Sequence, residues 1–162
     1  MRAIFCAPPS VGLQGDCGGV LREMQLREES LRALGHEIEY LQAWRSPDWS
    51  AFDLCHLFMA NGDSFNLGEI AKRHVPLVVS PIIDRVQPNP VLRASTWLDR
   101  FLPGTFTHIG RCARLCDMAD MVCLRSREEE WRMRLGLGVK RAAVVVPCPI
   151  ERKEVVPQGE KF

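Results

Sequence analysis

The residues best suited to chemistry in this chain sit in loops that follow apolar runs. Gly18-Gly19 close a glycine-bearing stretch, GDCGGV, and open a helical pattern. A helix start offers unpaired N–H donors and partial positive charge, and glycine allows close approach to the backbone, so the pair suits an anion such as a phosphate. It suits equally well a plain turn into a helix. Asp16, in the same loop, could accept from a ligand hydroxyl or only break the turn. His56 lies inside the apolar run DLCHLFM, where a core or cleft-edge histidine satisfied by a neighbour competes with a ligand contact. Asn61 and Asp63 follow that run, and Asp84 follows PLVVSPII. A carboxylate at 84 could bind a hydroxyl and assist its deprotonation, or cap a loop.

Other reactive types read more plainly. The seven cysteines (6, 17, 55, 112, 116, 123 and 148) form no CxxC pair and are odd in number, as expected of reduced thiols acting as small core residues in a cytosol. Cys112 and Cys116 share a helix face, but no pair with finger spacing joins them, so no metal and no cofactor are expected. His36 reads as structural, and His74 and His108 carry no partner signal. Lys and Arg number 21 against 20 Asp and Glu, a net charge of +1. That balance argues against a general nucleic-acid binder. No apolar run approaches the ~20 residues of a membrane helix. The opening MRAIFCAPPSVG is too short in its apolar part for a signal peptide and reads as a buried strand.

The elements that must position these residues alternate. Strands are expected at 2–7, 36–41, 53–59, 76–83, 120–124 and 142–146, from short β-branched or apolar runs. Helices are expected at 19–34, 65–73, 107–118 and 126–137, with a short helical piece at 97–102. Residues 8–19, 43–51 and 84–96 read as loops, the last because it holds Pro88, Asn89 and Pro90. Ser126 with Glu129 predicts a capping box. Glu128–Glu130 suit the first turn of that helix. Arg93, Trp97, Arg100 and Phe101 read as a packed aromatic face, the alternative being a basic amphipathic piece at a membrane surface. Strand–helix alternation predicts an α/β domain with a parallel sheet of about six strands and helices on both faces. Ligands in such sheets bind outside the carboxyl ends of the strands, so the loops after Ala7, Met59 and Ile83 should share one edge.

Six segments in order resemble one family: GDCGGV, LRALGHEIEYL, FDLCHLF, VPLVVSPI, ARLCDMADMVCLRSREEE and AVVVPCPI. Together they are similar to the N-terminal domain of retaining nucleotide-sugar glycosyltransferases of the GT-B class, family-4 type, over residues 2–150. The resemblance implies a Rossmann-like acceptor-side domain over 1–150. It implies that 151–162 lead toward a C-terminal donor domain that this sequence does not include; no two glutamates sit eight apart with the surroundings of the family's E-x7-E pair. It implies transfer of a sugar, of the hexosyltransferase kind, from a nucleotide-sugar donor to a glycan or lipid-linked acceptor in polysaccharide biosynthesis. The fragment alone should be inactive. Gly18 and Gly19 would then meet the donor diphosphate. Asp16, Asn61 and His56 would touch substrate, and Asp84 would be the catalytic candidate. The setting implied is cytoplasmic, with peripheral contact at the inner membrane. Two positions depart from the pattern: Ile82 and Phe58 stand where many relatives carry histidine. The competing reading is a free-standing, non-enzymatic α/β module that regulates or binds a partner. A sugar-nucleotide enzyme such as an epimerase would need catalytic acids that are not found.

Overall fold

The computed structural model describes residues 1–13, 18–42, 44–83, 87–102 and 107–148, with the side chains of 12 and 13 excepted. The apolar runs pair as parallel strands: β1 (Arg2–Cys6), β2 (Glu37–Tyr40), β3 (Leu54–Phe58), β4 (Leu77–Ser80), β5 (Met121–Leu124) and β6 (Ala143–Val145). Their order in one sheet is β2-β1-β3-β4-β5-β6. β1 is flanked by its successor on one side and by β3 on the other, in register Phe5↔Tyr40 and Phe5↔His56. The chain therefore reverses its direction of travel across the sheet at β1. With right-handed crossovers, the helix before that reversal and the helices after it must lie on opposite faces.

They do. The helices are α1 (Pro9–Leu13), α2 (Gly19–Ala33), α3 (Gly62–Lys72), α4 (Asn89–Phe101), α5 (His108–Met118) and α6 (Arg127–Trp131), the last continuing as a π-helical turn, Arg132–Leu137. Ile4, Cys6, Cys55, Leu57, Leu77, Val79, Val122 and Leu124 face one way and pack with α3, α4, α5 and the π-helical turn. Ala3, Phe5, Ile38 and Phe58 face the other way, beneath Met24, Val20 and Leu31 of α2. This is the α/β, Rossmann-like arrangement expected, with helices on both faces. The α2 face is thinly covered past β3: Met121 and Val144 remain exposed there.

Several expected boundaries move. Residues 89–96 are helix rather than loop, because α4 starts at Asn89 with Pro88 as N-cap and proline in its first turn. Proline is compatible with that position, since the first N–H groups have no partner to lose. The expected loop at 8–19 contains the short helix α1. Helix α3 begins at Gly62, not 65, because Asn61 caps it: Asn61 Oδ1 accepts from Asp63 N and Ser64 N, both at 2.9 Å, and Ser64 Oγ accepts from Asn61 N at 2.9 Å. Ser126 accepts from Glu129 N at 3.1 Å as a capping box requires, but the Glu129 carboxylate turns elsewhere, to Arg125 N at 2.6 Å and Ile83 N at 2.7 Å. The aromatic face of α4 is not packed: Trp97 and Phe101 meet each other's tilted rings, with centroids 4.6 Å apart, and are 56% and 63% exposed. Among the described residues no helix is long and apolar enough to cross a membrane.

Candidate functional site

Where strand order reverses, two adjacent strands send their chains away in opposite directions and leave a crevice at their carboxyl ends. Here that place lies between β1 and β3, and three elements converge on it. The first is the start of α2. Gly18 is the N-cap, extended at φ −76°, ψ 117°, with no side chain accepting from the helix amides and no acid in the first turn. Gly18 is buried, and a Cβ added at Gly19 would meet no atom within 4 Å. The sequence thus leaves the N-terminal donors of a 15-residue helix without a capping side chain, beside open space.

The second is a small cleft of about 240 Å³ lined by Val20, Met59, Ala60, Asn61, Ile82 and Ile83, together with Cys112 and Leu137. Two of these residues are in the left-handed region: Met59 at φ 65° and Ile82 at φ 54°. A left-handed non-glycine residue costs about 1–3 kcal/mol, and a β-branched one is the least tolerant. Each lies just past the end of a strand, β3 or β4, and each is held. Met59 N donates to Ser80 O at 2.8 Å and Met59 O accepts from Ser64 Oγ at 2.8 Å. Ala60 N donates to Pro81 O at 3.0 Å, and Ile83 N to the buried Glu129 carboxylate. The third element is a larger cleft of about 560 Å³ over the end of β1, between α1, α2 and α3, with walls that include Phe5, Pro8, Leu21, Met24 and Tyr40. Asp63 is the single carboxylate in that wall among the described residues.

The predicted site residues divide. Gly18, Gly19 and Asn61 come together at this edge. Asn61 has its Oδ1 engaged by the α3 cap, leaving its amide NH₂ for a ligand. Asp16 and Asp84 lie outside the described residues. His56 is buried on the sheet face under α2, its Nε2 2.9 Å from Ser80 Oγ, its ring stacked on Phe58 at 4.1 Å and edge-on to Phe5 at 5.3 Å. Burial, and secondarily the Arg27 charge, pull its pKa down to about 3, so it is a neutral ring in the fold. It lines neither cleft described above.

Sequence reasoning missed two supports of this edge. His108 opens α5, and its Nδ1 accepts from Gly62 N at 3.3 Å, tying α5 to the start of α3. Glu129 joins the ends of β4 and β5. The Asn61–Ser64 spacing is a readable signal; nothing in sequence marked Glu129 as reaching Ile83. Among the described residues no group of three or more His, Cys, Asp or Glu is placed to hold a metal. Two buried thiols are poor nucleophiles: Cys6 and Cys116 are raised well above the usual thiol range by hydrogen bonds with Cys55 and Cys112 and by burial. Chemically, the edge can hold an anion on the α2 amides and polar groups of a second molecule at Asn61 and Asp63. No protein-family model matches the chain, and comparison with curated proteins and with solved structures found no match.

Proposed function

We propose that this chain is the acceptor-side half of a glycosyltransferase that moves a sugar from a nucleotide sugar to a glycan or lipid-linked acceptor. The observation that carries the reading is the uncapped, acid-free N-terminus of α2 at the strand-order reversal, with open space beside Gly19. Charge develops on the leaving diphosphate as the glycosidic bond to it breaks. Fixed backbone donors stabilise such charge without reorganising. The clefts beside α2 supply walls for the acceptor, with Asn61 and Asp63 as the polar contacts. The donor's base and ribose would be held by a second domain. The chain by itself is then expected to turn over no sugar nucleotide.

The test is the reading frame past codon 162. A second Rossmann-like domain with an E-x7-E pair supports the proposal, and in that two-domain protein Gly19→Val should cut transfer by about a hundredfold or more. The open space at Gly19 makes a folding defect an unsuitable explanation for such a loss. Turnover by residues 1–162 alone would refute it; a stop codon directly after 162 would require a partner chain to supply the donor half or put the alternative first. One observation favours the alternative, a non-enzymatic binding module. The strand order begins as flavodoxin-like sheets do, 2-1-3-4-5, with β6 added, and that architecture serves without a second domain.

A further inference from the structure

A separate cleft of about 560 Å³ opens between the start of α4 and the α6/π-helical segment. It shares no lining residue with the two clefts at the sheet edge. Its walls are apolar: Pro88, Pro90, Trp131 and Leu135, the last two 55% and 53% exposed. Two guanidinium groups, Arg93 and Arg132, stand in it, and no carboxylate lines it among the described residues. Arg132 is already paired with Glu128 at 3.1 Å. Arg93 has no carboxylate partner among the described residues, and its guanidinium lies against Gly138. Asn89, also in the wall, has a buried Nδ2 with no acceptor, the sole buried side-chain nitrogen or oxygen so left among the described residues.

We propose that this cleft binds a small organic anion: a carboxylate carried on an apolar body. The body would lie on Trp131, Leu135 and the two prolines. The carboxylate would pair with Arg93. Three observations converge on that class. The walls match an apolar body. Among the described lining residues there is no carboxylate, and Arg93 brings a positive charge. The Arg93 guanidinium, with no carboxylate partner among the described residues, matches one singly charged, planar, two-oxygen group, whereas a dianionic phosphate would call for a second such cation. The inference does not rest on sugar transfer, because the cleft lies apart from the sheet edge.

The experiment is amide and indole NMR on the 162-residue chain, titrated separately with octanoate, octanol and octyl phosphate. Octanoate should shift the Trp131 indole N–H and the Arg93 amide saturably, with an affinity about tenfold or more above that of octanol. Arg93→Met should bring octanoate down to the octanol value and leave octanol unchanged. Trp131→Ala, at a half-exposed position, should weaken both alcohol and carboxylate about fivefold or more. Equal affinity for octanol and octanoate, or no saturable shift, overturns the proposal. So do shifts centred on Met59 and Ile82, or tighter binding of octyl phosphate than of octanoate. If Arg93→Met loses its dispersed spectrum, the Trp131→Ala and octanol comparisons decide alone.

Discussion

His56 should make this fold acid-sensitive well above the range where carboxylates titrate. An exposed histidine in the unfolded chain titrates near 6.5, whereas the folded ring is held down to about 3 by burial and by Arg27. A base whose folded pKa is depressed binds its proton more readily when unfolded. Its stabilising contribution is therefore full above the unfolded value and is lost as pH falls from about 6.5 toward about 3. Between pH 7 and pH 5 the unfolded chain gains most of one proton that the folded chain does not. The linkage integral over that interval is about 2 kcal/mol, from a cost of 1.36 kcal/mol per unit. Urea unfolding at the two pH values should show this loss in the wild type. His56→Gln, which retains an amide able to meet Ser80 Oγ, should remove about that much of the difference. The NMR signal of the His56 ring should stay that of a neutral imidazole down to the pH at which the chain unfolds. A wild type and His56→Gln variant with the same pH slope, or a ring that titrates near 6.5 in the folded protein, would refute the argument from burial.

Two further outcomes test the supports of the sheet edge and the sheet face. Glu129→Gln leaves one carbonyl oxygen where two carboxylate oxygens now accept from Ile83 N and Arg125 N, so urea unfolding should report a loss of about 2–3 kcal/mol. Arg27→Met strands the buried Glu23 carboxylate, now 2.9 Å from Arg27 Nη2 in a pair whose side chains are 9% and 3% exposed. It should cost about 3–5 kcal/mol, and the double change Glu23→Leu with Arg27→Met should recover most of it; a double variant as unstable as the single one would show that the pair is not the cause.

The fold was legible because a parallel sheet writes its buried strands as continuous apolar runs. AIFC, LCHLF, LVV and VCL read as buried strands, whereas the strand order and its reversal at β1 are set by which helices cover which face, which no local pattern encodes. What went unread had competing signals. Pro88 and Pro90 are strong breakers in the middle of a helix and good residues at its start, so the same letters hid the first two turns of α4. The outward face of α4 defied its pattern for a different reason. Leu92, Thr96 and Asp99 face in and Trp97, Leu98 and Phe101 face out, because Asp99 is drawn in to accept from Thr107 N and Oγ1 at the entry to α5. A polar anchor across two helices has no local sequence signature. His56 was ambiguous in sequence for a sound reason: alternation fixes its face of β3, yet whether that face is covered at this depth depends on how far α2 lies over β4.

The strain at Met59 and Ile82 bears on what the edge is for. Packing alone gives no reason for two non-glycine residues to take left-handed conformations at the ends of adjacent strands, since glycine would serve both turns at lower cost. Both are nevertheless held by bonds from separate elements: Met59 by Ser80 and by Ser64 of α3, and Ile82 through its neighbour Ile83 by Glu129 of α6. The same Ser64 completes the cap that occupies Asn61 Oδ1, so one hydroxyl fixes both the strained turn and the orientation of Asn61. The loop shape and the polar groups of this edge are thus set by the scaffold before anything binds. Preorganisation of that kind stabilises a bound state by removing the entropy cost of ordering the site. It is also what backbone donors at Gly18-Gly19 would need if they are to meet a developing charge without moving.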